Sequence, residues 1–231
     1  MPIIEWSHLA LMLLPLSIAG VLYYRWTRDS RTIAWATLRM VVQLVAIGYV
    51  LNYIFAQAQS GFFILGVLGV MIVAAAHIVW QRVTHKTLRH YGVLIGVIGF
   101  SGLLHLGWVI FGVLAVPSSA WAQVAIPIAG MIFANTMTVL SLFIDRIESM
   151  SADIAWQVRR AQALKAAMIP QVNAFMAVGL VSLPGMMTGQ IVAGVDPLIA
   201  VRYQIVVMAM IMGSASVGLM LYAWWRERYG V

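Results

Sequence analysis

The sequence predicts an all-α, polytopic integral membrane protein with about seven transmembrane helices, its N-terminus outside and its C-terminus cytoplasmic. Three observations carry this. Hydrophobic residues fill 63% of 231 positions and charged residues only 9%, where a soluble domain carries roughly 25% charged residues. Apolar runs recur at a spacing near twenty residues, the length that a helix rising about 1.5 Å per residue needs to cross a hydrocarbon core of about 30 Å. The basic residues gather between those runs rather than within them. In a soluble protein the net charge of +7 would point to nucleic acid. Here it sets orientation, and nucleic acid is not an expected partner.

The first run, 8–25, follows a segment with Glu5 and no Lys or Arg. A cleavable signal opens with positive charge, so this run reads as a retained span. Further helices are predicted at 33–56, 61–80, 91–115, 121–144, 168–188 and 201–224, forming a single transmembrane domain over 1–231. The connections are short (26–32, Gln57–Ser60, 81–90, Val116–Ala120), except for 145–167, which is long enough to carry structure outside the bilayer. With the N-terminus outside, the alternation places Arg25, Arg28, Arg31, Arg82, Lys86, Arg89, Arg146, Arg159, Arg160, Lys165, Arg226 and Arg228 on the cytoplasmic side, as the positive-inside rule requires. Arg39 and Arg202 are the exceptions. Tyr23, Tyr24, Trp26, Trp80, Trp121, Trp224 and Trp225 mark span edges. Gly92, Gly96 and Gly99, with a smaller Ser214/Gly218 face, allow close helix approach within the chain or between subunits.

Polar side chains inside the spans are functional candidates, because lipid does not satisfy them. They are Arg39, Gln43, His77, His105, Asn135 and Asn173. Arg39 and Gln43 share one helix face. Measured from the predicted helix midpoints, Arg39 and Asn173 lie about 8 Å toward the cytoplasm, Asn135 about 4 Å and Gln43 about 2 Å. The four form a layer, either a polar cavity or a hydrogen-bonded lock. The plainer alternatives are that Arg39 snorkels and that the asparagines bond across helices. His77 and His105 differ too much in depth to share a metal, and each reads as an interhelical hydrogen bonder. The chain has fifteen methionines and no cysteine. The absence of cysteine excludes disulfides and thiolate chemistry, and the methionines read as apolar filler.

Pro184, Gly185, Met186, Met187, Thr188, Gly189 and Gln190, followed by Asp196, interrupt an apolar stretch. Non-helical backbone at membrane depth persists only when buried in protein or lining water. The segment therefore reads as a gate or re-entrant element, with a tight connection as the alternative. No phosphate-binding loop, H-E-x-x-H helix or triad occurs in the sequence. The chain is expected not to be an enzyme and to carry no cofactor of its own, with any ATP bound by a partner subunit.

Several stretches resemble the Fet-type iron-export permease family. They are Val178-Gly-Leu-Val-Ser-Leu-Pro-Gly-Met-Met-Thr-Gly-Gln190, Gly194-Val-Asp-Pro197 and Arg202-Tyr-Gln-Ile205, with Arg39-Met-Val-Val-Gln-Leu-Val-Ala-Ile-Gly48, Gly130-Met-Ile-Phe-Ala-Asn135, Asp145-Arg146, Ala167-Met-Ile-Pro170 and Asn173. That family includes bacterial membrane subunits of an ABC exporter linked to iron resistance, and plant relatives associated with aluminium tolerance and sugar-nucleotide transport. The resemblance implies a homodimeric permease of the bacterial inner (plasma) membrane, exporting iron or a related metal and driven by a cytoplasmic ATP-binding subunit. If iron is the cargo, hard oxygen and amide ligands suit it better than thioethers, which makes Asn135, Asn173 and Gln43, with Arg39 of the same layer, the transport-pathway candidates. Asp145, Arg146, Arg159 and Arg160, in the segment 145–167, are assigned to ATPase coupling. The passage from Asp145 to Pro170 is shorter than in the family and lacks its Leu-Gly-Ala turn. Ser151 and Asp153 are expected to cap an amphipathic stretch there, and coupling is expected to be altered or lost. A carrier without an ATPase, or a membrane scaffold, are the competing functions.

Overall fold

The computed structural model describes residues 5–29, 31–57 and 61–229. The expected Gln57–Ser60 connection falls largely outside them. The described residues are helical throughout apart from turns and one isolated bridge between Val178 and Ser182. They form two compact units, divided after Gln57.

The first unit holds α1 (Trp6–Ala10), α2 (Leu13–Thr27) and α3 (Thr32–Gln57). The predicted helix 8–25 is thus two pieces, with Leu11 and Met12 between them. α2 ends on Arg28 in the left-handed conformation (φ 59°), whose N–H reaches the Tyr24 carbonyl at 2.8 Å. Asp29 then starts α3: its Oδ1 accepts the N–H groups of Arg31 (2.9 Å) and Thr32 (3.1 Å). Those bonds occupy donors that a helix start leaves without intrahelical partners. Bonds from the Thr32 hydroxyl first, then from the two backbone N–H groups, hold the Asp29 carboxyl below its ordinary 3.8. Ser7–Thr27 and Thr32–Val50 are both apolar enough to cross a membrane.

The second unit holds α4 (Gly61–Trp80), α5 (Leu88–Gly107, continued by a π turn over Trp108–Val113), α6 (Trp121–Glu148), α7 (Trp156–Ala177), α8 (Gly185–Val192) and α9 (Pro197–Tyr229). α6 and α9 form its centre. α6 packs on α4, α5, α7 and α9, while α9 also meets α5, α7 and α8. Small residues permit this closeness. A Cβ on Gly218 would stand 2.8 Å from Thr136 Cγ2 and 3.0 Å from Ser101 Oγ, and one on Gly213 would stand 2.7 Å from His105 Nε2. A Cβ on Gly102 would collide with the Phe133 ring. Ser214 and Gly218 therefore serve packing within the chain, as does Gly99, which faces Ile72. Gly92 and Gly96 face open space.

Among the described residues, six helical stretches are long and apolar enough to span a bilayer. α7 is not one of them. The helix expected at 168–188 starts twelve residues earlier, at Trp156, and stops at Ala177. Consequently 145–167 is not a separate element: α6 runs on to Glu148, a turn covers 149–155, and the rest is the first half of α7. Ser151 and Asp153 bond each other and leave the α7 start uncapped by a side chain, which corrects the expected capping role. The break lies at Val178–Pro184, where Gly179 adopts φ +83°. The Pro-Gly-Met-Met-Thr-Gly-Gln motif itself is mostly helix α8.

Candidate functional site

α7 runs antiparallel to α6 in a register fixed by two contacts. Arg159 Nη2 donates to the Ile147 carbonyl at 3.0 Å, and Gln171 Nε2 donates to Asn135 Oδ1 at 3.0 Å. From Arg159 to Gln171 is twelve residues, and from Ile147 back to Asn135 is also twelve. Continuing this register sets Ala177, the last residue of α7, level with Ala129. α6 extends eight residues further, about 12 Å. Over that stretch α6 has no α7 beside it, and a cavity of about 460 Å³ occupies the place. Its lining includes Gln123, Pro127 and Met131 of α6, Met186 and Gln190 of α8, and Tyr203 of α9.

The chemistry of this cavity follows from its residues. Pro127 has no N–H, so the carbonyl of Gln123 loses its helical donor. Gln190 Oε1 is buried without a partner among the described residues. Met131 leads to the polar pair: its carbonyl accepts Asn135 Nδ2 at 2.8 Å, while Asn135 Oδ1 holds Gln171. Asn135 sits at the midpoint of α6, deeper than the 4 Å offset expected from the sequence. Gln171 is buried, with 4% of its surface exposed. The cavity reaches Met131, and the Asn135–Gln171 amide pair lies one helical turn beyond it along α6. Amide and carbonyl oxygens are hard, neutral ligands that bind a cation without trapping it as a ring of carboxylates would. No group of three or more His, Cys, Asp or Glu able to hold a metal occurs among the described residues.

The expected pathway residues separate. Asn135 lies at the site. Asn173 does not join it: two residues beyond Gln171, it points to the exposed side of α7. Gln171, missed from sequence, takes the contact. The signal for it was the stripe Ala163, Ala167, Gln171, spaced by four and buried throughout. Arg39, half-buried, and Gln43, exposed, belong to α3 of the first unit. Of the expected gate residues, Met186 and Gln190 line the cavity, and the Thr188 hydroxyl bonds the Pro184 carbonyl at 3.1 Å. Asp196 caps α9, accepting from the N–H groups of Leu198 (2.8 Å) and Ile199 (3.3 Å). The two histidines bond along their own helices rather than across them: His77 Nε2 lies 3.0 Å from Gln81 Nε2, and His105 Nδ1 lies 2.8 Å from the Ser101 carbonyl.

The opposite end of the unit is tied by charge. Glu148 accepts from the Thr84 N–H at 2.9 Å, bonds the Thr84 hydroxyl, and pairs with Arg226 at 3.5 Å. Arg160 pairs with Glu227. Beneath them His90 Nε2 lies 2.6 Å from the Tyr222 hydroxyl, both side chains buried. Of the expected coupling residues, Asp145 and Arg146 are exposed, whereas Arg159 and Arg160 hold α7 to α6 and α9.

Comparison with known proteins places these features in a wider group. The chain is 30% identical over 218 residues to the "Probable iron export permease protein FetB" of Escherichia coli, covering 86% of this chain and 82% of that one. It is 33% identical over 202 residues to "Protein ALUMINUM SENSITIVE 3" of Arabidopsis thaliana (79% and 71%). It is 33% identical over 197 residues to "UPF0014 membrane protein YjkA" of Bacillus subtilis (78% and 77%). No solved structure matches. The sequence profile described as "Uncharacterised protein family (UPF0014)" spans residues 6–229, every helix described above, and the chain is thus a multi-pass membrane protein of the UPF0014 family, to which the expected Fet-type resemblance also belongs.

Proposed function

We propose that this protein is the permease subunit of an exporter for iron or a related metal ion, acting as a homodimer with a separate cytoplasmic ATP-binding subunit. The observation that carries the reading is the Asn135–Gln171 amide pair, one turn along α6 from the Met131 wall of a cavity, in a chain that aligns over most of its length with a probable iron export permease. In this reading α7 makes a seventh crossing of a bacterial inner membrane. The N-terminus lies outside, and the end carrying Glu148, Arg160 and Arg226 lies in the cytoplasm. Solute moves between that end and the cavity, past Asn135. The exposed Asp145–Arg146 pair and the turn 149–155 face the ATPase. Arg39, Gln43 and Asn173 remain pathway candidates, and Pro184–Gln190 with Asp196 form the moving outer element.

The test compares cells with and without the protein for total iron, alongside a pull-down for an ATP-binding protein. Lower iron in the expressing cells and a copurifying ATPase are expected. Unchanged metal content across iron, manganese and zinc would sink the reading. A carrier working without an ATPase is the second reading, because Arg159 and Arg160 are already engaged inside the fold. Metal movement into proteoliposomes without ATP, with no ATPase recovered, would favour it.

A further inference from the structure

His90 is fixed where α5 begins, wholly inside the second unit. Its N–H donates to the capping Thr87 hydroxyl at 3.1 Å, and its ring lies against Tyr222 and Trp225 of α9, with centroids 5.6 and 5.1 Å away. His90 is 1% exposed and Tyr222 is fully buried. The Tyr222 hydroxyl lies 2.6 Å from His90 Nε2 and also bonds the Arg226 guanidinium. A guanidinium only donates, so the hydroxyl oxygen accepts from Arg226 and its own hydrogen goes to Nε2. His90 is then the neutral tautomer with its proton on Nδ1, and Nδ1 has no partner among the described residues. An added proton has one place to go, which is Nε2. There it turns the Tyr222 hydrogen away from its acceptor and sets a second cation beside Arg226. The positive N-terminal end of α5 opposes that cation as well. From every element packed against this end, the charged groups that face the ring among the described residues are Arg226 of α9 and Glu148 of α6. Arg89 turns away to the Tyr229 ring. Glu148 is the one anion of the set, and it is already shared between Arg226 and the N–H of Thr84.

We propose that His90 is a proton-binding switch for this end of the second unit: a proton taken from solvent makes two buried cations compete for Glu148, and the tie from Glu148 of α6 to Arg226 of α9 opens. The switch goes beyond the permease reading and holds for any cargo. In that reading the same end lies in the cytoplasm, so acidification there opens the side from which solute enters.

The chain has no cysteine, so a single introduced thiol reports without interference. Ala223, beside Tyr222 and 3% exposed, is replaced by Cys, and Ser149→Cys, exposed just past α6, serves as the reference. Labelling of the full chain in lipid nanodiscs by a water-soluble maleimide is compared at the two positions, which cancels the thiol's own pH dependence. The Ala223→Cys to Ser149→Cys ratio is expected to rise several-fold between about pH 7.5 and pH 5.5, the range in which imidazole gains its charge. Adding His90→Gln, which stays neutral, should hold the ratio flat. A protein that keeps only His90, with His8, His77, His85 and His105 replaced by Gln, should retain the rise, and it decides the matter if His90→Gln does not fold. A flat ratio in the parent, a rise that survives His90→Gln, or a rise lost from the His90-only protein overturns the switch.

Discussion

Gln171 and Asn135 share one hydrogen bond, 3.0 Å long, at the midpoint of the central helix α6. Asn135 is also held from behind, through its own amide, by the Met131 carbonyl. The Asn135 oxygen therefore faces α7 in a fixed orientation, and Gln171 completes it. Removing Gln171 leaves that oxygen bare inside the protein. A double-mutant cycle between Asn135→Leu and Gln171→Leu should return a coupling of about 0.6 kcal/mol, and at most about 1.7 kcal/mol, the range for interhelical polar pairs in membranes. Unfolding in mixed micelles measures it, and additive losses would deny the pair any role in joining the helices.

Transport should separate from stability at the same place. Asn135→Leu is expected to keep expression and elution while metal export falls at least several-fold. Gln190→Leu, at the cavity wall, is expected to do the same. Full export by both variants, measured as cellular iron, would remove the cavity from the pathway.

Close packing makes a sharper prediction. Gly218→Ala places a methyl within 3.0 Å of Thr136 and Ser101. Overfilling of this kind costs about 1–3 kcal/mol. Gly96→Ala meets nothing within 4 Å and should leave the melting temperature unchanged. Equal melting of the two variants contradicts the packing described for α5, α6 and α9.

The Glu148–Arg226 pair is nearly buried, with 16% and 10% of the side chains exposed. Removing one member of a buried pair costs about 3–5 kcal/mol. Since Glu148 also accepts from Thr84, Glu148→Gln should keep more stability than Glu148→Leu. Thermal scans in detergent check the order, and equal melting of all three proteins would contradict it.

Asp29 offers a test through pH. Its carboxylate is favoured in the folded state, so the folded value lies below the ordinary 3.8. The stabilisation it provides is present above the unfolded value and is lost as pH falls through the folded one. A carbon-13 NMR titration of the Asp29 carboxyl should show a midpoint below 3.8. Asp29→Asn should preserve the start of α3 and Asp29→Ala should fray it.

The membrane class and most helices were legible because a bilayer imposes its thickness directly on the sequence. α4 matches its predicted span of 61–80 at both ends, since Gly61 and Trp80 bound an uninterrupted apolar run. α7 was misplaced for the same reason. Hydropathy follows apolarity, and the polar first half of α7, from Gln157 to Lys165, is carried by the register with α6 rather than by lipid. That shift moved Gln171 from a helix start to the interior and hid it as Asn135's partner. Asn135 itself stood out as an amide in an apolar run. The cavity had a partial linear signal: the interrupted stretch Pro184–Gln190 marked Met186 and Gln190 of its wall, but not the early end of α7 beside it.

That early stop has an electrical consequence. Where α7 ends, level with Ala129, the protein offers a chamber instead of packed helix over the last 12 Å or so of α6. If the chamber fills with water, the transmembrane voltage no longer drops across it and is compressed into the remaining thickness around Asn135. An ion at that amide would then feel a steeper field than the bilayer average, so its passage should respond strongly to membrane potential, at about 2.3 kcal/mol per charge for each 100 mV crossed.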